Sequence, residues 1–126
     1  MSILLHICCG PCAAYPLDFL QGQGIRVRGF FYNPNIHPYR EFKKRLVAVE
    51  QLAARENLAV EYHREYGLRD YLRQVVFNES SRCGLCYDMR LRETVEQAKE
   101  GMQEAADEAA EKVEEAGDKL RQSTND

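Results

Sequence analysis

No apolar run in these 126 residues approaches the roughly 20 that a membrane-spanning helix needs, which excludes a helical membrane span. The opening residues Met1-Ser2-Ile3-Leu4-Leu5-His6 carry no basic leader and no small-residue cleavage site, so no secretory signal is expected and the expected compartment is the cytosol. None of the five cysteines lies outside two short motifs, so none is spent as core filler. Residues 99–126 contain no aromatic side chain. What remains, 44% hydrophobic and 29% charged, is a globular composition with room for one domain that buries about two thirds of its unfolded surface.

The net charge of -3 averages two unlike parts. Residues 1–98 hold 13 Lys/Arg against 11 Asp/Glu, whereas residues 99–126 hold 4 against 9. The front part is mildly basic, which is compatible with a nucleic-acid partner without requiring one. The acidity resides in the last segment.

Ile3-Leu4-Leu5-His6-Ile7 predicts a buried strand that runs into the turn Cys8-Cys9-Gly10-Pro11-Cys12. From Pro11 the spacing of Ala14, Leu17 and Leu20 predicts a helix closed by Gly22 and Gly24. Ile25–Tyr32 predicts a second strand broken by Asn33-Pro34-Asn35, which completes a βαβ unit with parallel strands. Phe42, Leu46, Val49 and Ala53 mark an amphipathic helix over Pro38–Glu56. A third strand is expected over Leu58–Tyr62, a short helix over Leu68–Phe77, a polar loop over Asn78–Arg82, and a further helix opening at Cys83. The expected fold class is therefore α/β with a parallel sheet of about three strands. The expected division is an α/β domain over 1–98 and an acidic Ala/Glu-rich tail over 99–126, a solvated helix frayed at Ser123-Thr124-Asn125-Asp126.

The chemistry is concentrated in Cys8, Cys9, Cys12, Cys83 and Cys86. In a reducing compartment, thiol pairs at such spacing point to metal or redox chemistry. Three chemistries compete. Cys9-Gly10-Pro11-Cys12 has the letters of a thiol–disulfide exchange site, in which a helix N-terminus lowers a thiol pKa. Four thiolates from two pairs would also close a structural zinc site, and the same four would hold an iron–sulfur cluster. Spacing alone does not choose between the two metal centres.

Three motifs carry a resemblance. Ile3-Leu4-Leu5-His6-Ile7-Cys8-Cys9-Gly10-Pro11-Cys12, then Gly29-Phe30-Phe31-Tyr32-Asn33-Pro34-Asn35-Ile36-His37-Pro38, then Arg82-Cys83-Gly84-Leu85-Cys86-Tyr87 with Met89-Arg90-Leu91, occur in the order found in the non-cobalamin epoxyqueuosine reductase family called QueH. Over about residues 2–98 the sequence resembles the N-terminal half of that family. The resemblance implies a nucleotide-hydrolase-like (HUP, Rossmann-like) sheet. It implies an oxidoreductase of queuosine biosynthesis that reduces epoxyqueuosine to queuosine in the anticodon loop of tRNA, with tRNA as partner and the electron donor unspecified. It further implies that Cys8, Cys9, Cys83 and Cys86 hold a 4Fe-4S cluster, while Cys12 is a catalytic position beside it that can hold an additional iron. The phosphate loop of such sheets is replaced here by Cys-Cys-Gly-Pro-Cys, which lacks the glycines and the Lys or Ser that nucleotide binding needs.

The family's later strands and a downstream Cys-x-Cys pair have no counterpart after Ala98, so the expected activity of this chain by itself is weak or absent. The alternatives are a non-catalytic four-cysteine module for iron–sulfur or zinc, and a thioredoxin-like oxidoreductase.

Asn33, Asn35 and His37 are expected to form a rigid turn held by Asx hydrogen bonds, the alternative being substrate contact or proton delivery by His37. His6 is expected to pack. Tyr39, Arg40, Lys43, Lys44 and Arg45 would meet tRNA phosphate, unless they are an ordinary solvated helix start.

Overall fold

The computed structural model describes residues 2–124 and divides into two units, Met1–Thr94 and Val95–Asp126. In the first unit three parallel strands, β1 (Ser2–His6), β2 (Arg26–Phe31) and β3 (Val60–Tyr62), form one sheet in the order β1-β2-β3. Ile3 lies opposite Val27, Leu5 opposite Gly29, and Gly29 opposite Val60. Parallel neighbours cannot be joined by a hairpin, so each connection carries a helix: α1 (Gly10–Gly22) and α2 (Tyr39–Glu56). The α/β class and the βαβ start expected from periodicity are both present.

The core lies where α1 and α2 cover the sheet. Ile7, Leu17, Phe31, Phe42 and Val49 are its fully buried side chains, each stabilising by about 1.5–3 kcal/mol relative to exposure. Phe30, adjacent to Phe31 on the central strand and pointing the other way, is buried too. Its ring stacks with Tyr32 at 6.2 Å.

Element ends follow local backbone rules. Gly24, at φ 73°, supplies the left-handed turn out of α1. Asn57 takes the same region at φ 51° and caps α2, and Leu58 then donates to the Ala53 carbonyl and buries its side chain. The third strand is consequently confined to Val60–Tyr62 rather than starting at Leu58. The short helix α3 (Leu68–Val75) stops before Phe77, which adopts φ 64° and cannot continue a right-handed helix.

The expected polar loop over Asn78–Arg82 is instead a 3-10 turn, Glu79–Ser81, feeding directly into α4 (Arg82–Thr124). No proline interrupts α4, and Gly101 and Gly117 are accommodated within it, so the helices expected on either side of residue 98 are one. Its part in the first unit half-buries Leu85, Cys86, Met89, Arg90, Glu93 and Thr94, a stripe at helical spacing. In the second unit Met102, Val113 and Leu120 are exposed. Ser123 and Thr124 are helical; the remainder of the expected frayed end, Asn125 and Asp126, lies outside the described residues.

Candidate metal and redox centre

Ile7 is buried at the end of β1, so the chain leaves the sheet at Cys8 and Cys9 and turns at once into α1. Cys9 is the extended N-cap residue of α1, with Pro11 in the first turn and Cys12 three residues on. Gly10 makes the turn possible: a Cβ there would sit 3.1 Å from the Ala48 carbonyl oxygen of α2. The result is a convergence of sulfurs. The Sγ atoms of Cys8, Cys9 and Cys12 all lie within 4.8 Å of one another, Cys8 and Cys9 being 3.9 Å apart. Among the described residues no other group of three His, Cys, Asp or Glu side chains converges in this way.

The three thiols are not equivalent. Desolvation acts to raise the Cys9 pKa, but hydrogen bonding from the Cys12 thiol and amide and from Cys8, with the charge of Arg45, outweighs it and holds Cys9 below its ordinary value. Cys12 is the reciprocal partner. The hydrogen bond its thiol shares with Cys9, and the nearby charge of Cys8, push it up to about 11. Exposed Cys12 therefore keeps its proton at neutral pH, and Cys9 is the more readily ionised of the two.

Two side chains tie this loop to the end of β2. His6 donates from Nε2 to the Tyr32 carbonyl at 2.8 Å, and Asn33, 2% exposed, donates from Nδ2 to the Ile7 carbonyl at 2.9 Å. The expected Asx turn at Asn33 is thus replaced by a bond to a residue 26 positions away. His37 turns elsewhere: its Nδ1 shares a 2.8 Å hydrogen bond with the Tyr66 hydroxyl, and its ring lies 5.0 Å from that of Tyr71. Asn33 Oδ1, Asn35 Oδ1 and His37 Nε2 are buried without a protein partner.

Cys83 and Cys86 occupy the first turn of α4, Cys83 exposed and Cys86 half-buried, and stand outside the group of three. Burial raises the Cys86 pKa and the Arg90 charge opposes it. The same arginine charge is felt at His6, two residues before Cys8, where burial is the larger cause of a lowered pKa. Arg45, expected as a phosphate contact or as part of a solvated helix start, is the residue that sequence reasoning misses: it pairs with Glu41 at 3.0 Å and its charge acts on Cys9 and Cys8. The available signal is its spacing, three and four residues from buried Phe42 and Val49, which puts it on the inward face of α2. Arg40, Lys43 and Lys44 are exposed.

A family profile described as "Epoxyqueuosine reductase QueH" matches residues 3–116. The chain belongs to the QueH family. A curated relative of that name from Dehalococcoides mccartyi is 40% identical over 97 residues, which cover 77% of this chain and 53% of the relative. QueH relatives from Streptococcus pyogenes and Haemophilus influenzae are 35% and 32% identical, covering 79% and 77% of this chain and 42% and 41% of theirs. The chain thus spans about half the length of the curated QueH relatives it matches. The thiol donor set fits a metal of the family's expected kind, because soft thiolates select iron–sulfur, zinc or copper(I) over hard cations.

Proposed function

We propose that this chain carries the metal centre of an epoxyqueuosine reductase, in which two electrons and two protons break both C–O bonds of the epoxide of epoxyqueuosine in tRNA, giving the alkene of queuosine and releasing the oxygen as water. The observation that supports this most directly is the convergence of Cys8, Cys9 and Cys12 at the N-terminus of α1 in a member of the QueH family. Cys8, Cys9, Cys83 and Cys86 would hold a 4Fe-4S cluster, with Cys12 beside it at the catalytic position and able to ligate an additional iron. Such a centre supplies low-potential electrons and a Lewis acid that polarises a C–O bond.

The protein's own groups support that chemistry. The α1 N-terminus and Arg45 offset the negative charge that thiolate ligands accumulate. Cys12 is exposed, which leaves it open at the surface of the sulfur group where substrate would approach. Arg90, acting on both Cys86 and His6, supports the approach of the α4 thiols toward the end of β1. Exposed Arg40, Lys43 and Lys44 on α2 supply cations for tRNA phosphate.

A second reading, a non-catalytic thiolate module for zinc, is favoured by one observation: three thiols converge without Cys83 and Cys86. Anaerobic reconstitution with ferrous iron and sulfide, followed by metal analysis and a visible spectrum, separates the two. The reductase reading requires iron, sulfide and a broad visible absorption that are lost in Cys8→Ala, Cys9→Ala, Cys83→Ala and Cys86→Ala and kept in Cys12→Ala. Zinc uptake without iron, or a cluster that survives Cys83→Ala, would overturn the assignment.

A further inference from the structure

Five cysteines without a structural disulfide among them leave open what the converging thiols do when no metal is bound. We propose that Cys9 and Cys12 form a reversible dithiol–disulfide couple in the metal-free protein, exchanging with small-molecule disulfides such as glutathione disulfide. The geometry selects this pair. Cys9 and Cys12 are the N-cap and third residues of one helical turn, whose side chains are neighbours, and their sulfurs already lie within 4.8 Å. Cys8 and Cys9 are closer, at 3.9 Å, but adjacent residues keep their Cα atoms about 3.8 Å apart, short of the roughly 4.4–6.8 Å a relaxed disulfide spans. Pro11, lying between the pair, limits the backbone freedom that closing the ring removes.

The exchange balances in two steps. Cys9 Sγ, as the thiolate, attacks one sulfur of glutathione disulfide; that S–S bond breaks, one glutathione thiolate leaves, and a mixed disulfide forms on Cys9. Cys12 then gives up its proton and attacks the Cys9 sulfur, and the second glutathione thiolate leaves. The protein loses two electrons and two protons, and one glutathione disulfide becomes two glutathione molecules. The exposure of Cys12 leaves room at this end of α1 for so large a reagent. Closing the couple withdraws two of the three converging donors from metal; that consequence rests on the metal centre proposed above, whereas the couple itself rests on the thiols alone.

The test uses the full chain, stripped of metal with a chelator and incubated with glutathione disulfide. Free thiols are then alkylated, the protein is cleaved with trypsin and the peptides are mapped by mass spectrometry. Because Arg26 is the first Lys or Arg, one peptide carries Cys8, Cys9 and Cys12 together, and Cys83 and Cys86 share another. The expected product has lost two hydrogens from the first peptide and is alkylated there only at Cys8, with Cys83 and Cys86 both alkylated; dithiothreitol restores all five thiols. Cys12→Ser is expected to stop at a glutathione adduct on Cys9. Five free thiols after incubation, a bond involving Cys8, Cys83 or Cys86, or a Cys12→Ser protein without adduct on Cys9 would each overturn the proposal. No readout depends on iron, so failure of the metal centre and failure of the couple are separate results.

Discussion

Asn33 donates from Nδ2 to the Ile7 carbonyl at 2.9 Å, so the turn after β2 holds the residue immediately before Cys8. His6 makes the complementary bond to the Tyr32 carbonyl, and the two together bracket the point where β1 ends and the thiols begin. Both bonds are side chain to backbone, and each would vanish with one substitution.

Asn33→Ala leaves the Ile7 carbonyl buried without that donor. A loss of about 1–3 kcal/mol in urea unfolding is expected, together with faster alkylation of Cys8 in the metal-free protein. An unchanged midpoint and an unchanged alkylation rate would show that the β1–α1 turn holds itself.

Arg45→Gln removes a cation whose charge lowers the Cys9 pKa. The titration of Cys9 in the metal-free protein should therefore move upward, and its alkylation at neutral pH should slow. Arg45→Lys should recover most of the rate. Equal rates in all three proteins would mean that the thiol neighbours alone set Cys9.

His37 has its pKa lowered by burial, against a smaller raising effect from the Pro34 carbonyl. Between its folded value and the ordinary 6.5 the unfolded chain binds more protons than the folded one. The stability that neutral His37 supports is complete above pH 6.5 and is lost as pH falls through the lowered folded value. His6, lowered by burial, acts in the same direction. Urea midpoints measured from pH 7.5 down to about pH 5 should fall, and the fall should be shallower in His37→Gln. A slope that His37→Gln does not change would remove this residue from the acid response.

Removal of residues 99–126 takes away side chains that are almost all exposed, with Met102 at 65%, Val113 at 72% and Leu120 at 68% of full exposure. At about 25 cal/mol per Å2 so little buried apolar area contributes little stability. The thermal midpoint should stay nearly constant while the helical circular dichroism per molecule drops. A fall of several degrees would show that this segment supports the α/β unit.

The parts of the fold legible in the sequence are those encoded by short-range spacing. Phe42, Leu46, Val49 and Ala53 announce α2 because their spacings of four, three and four keep one face of a helix apolar, and Asn33-Pro34 announces the end of β2 because proline cannot extend a ladder. Boundaries that depend on one dihedral angle are not legible in the same way. Phe77 has no composition signal for φ 64°, and nothing in Asn78–Arg82 marks a 3-10 turn that leads straight into α4. The site divides similarly. Cys8, Cys9 and Cys12 are readable as a group, whereas the charge of Arg45, weighed without its helix face, points to phosphate or to solvent and not to the thiols.

By itself the sequence determined the family, through three ordered motifs, and the meeting of Cys8, Cys9 and Cys12, because five consecutive residues at a strand-to-helix turn cannot place their sulfurs far apart. Only the tertiary structure decided that Arg45 tunes Cys9, that Asn33 holds Ile7, and that His37 bonds Tyr66 rather than joining the thiols. Those pairs are separated by 36, 26 and 29 residues. Contacts at such distances exist only once the βαβ crossovers have packed their helices on the sheet, and which side chains then face one another is set by the packing of the whole core.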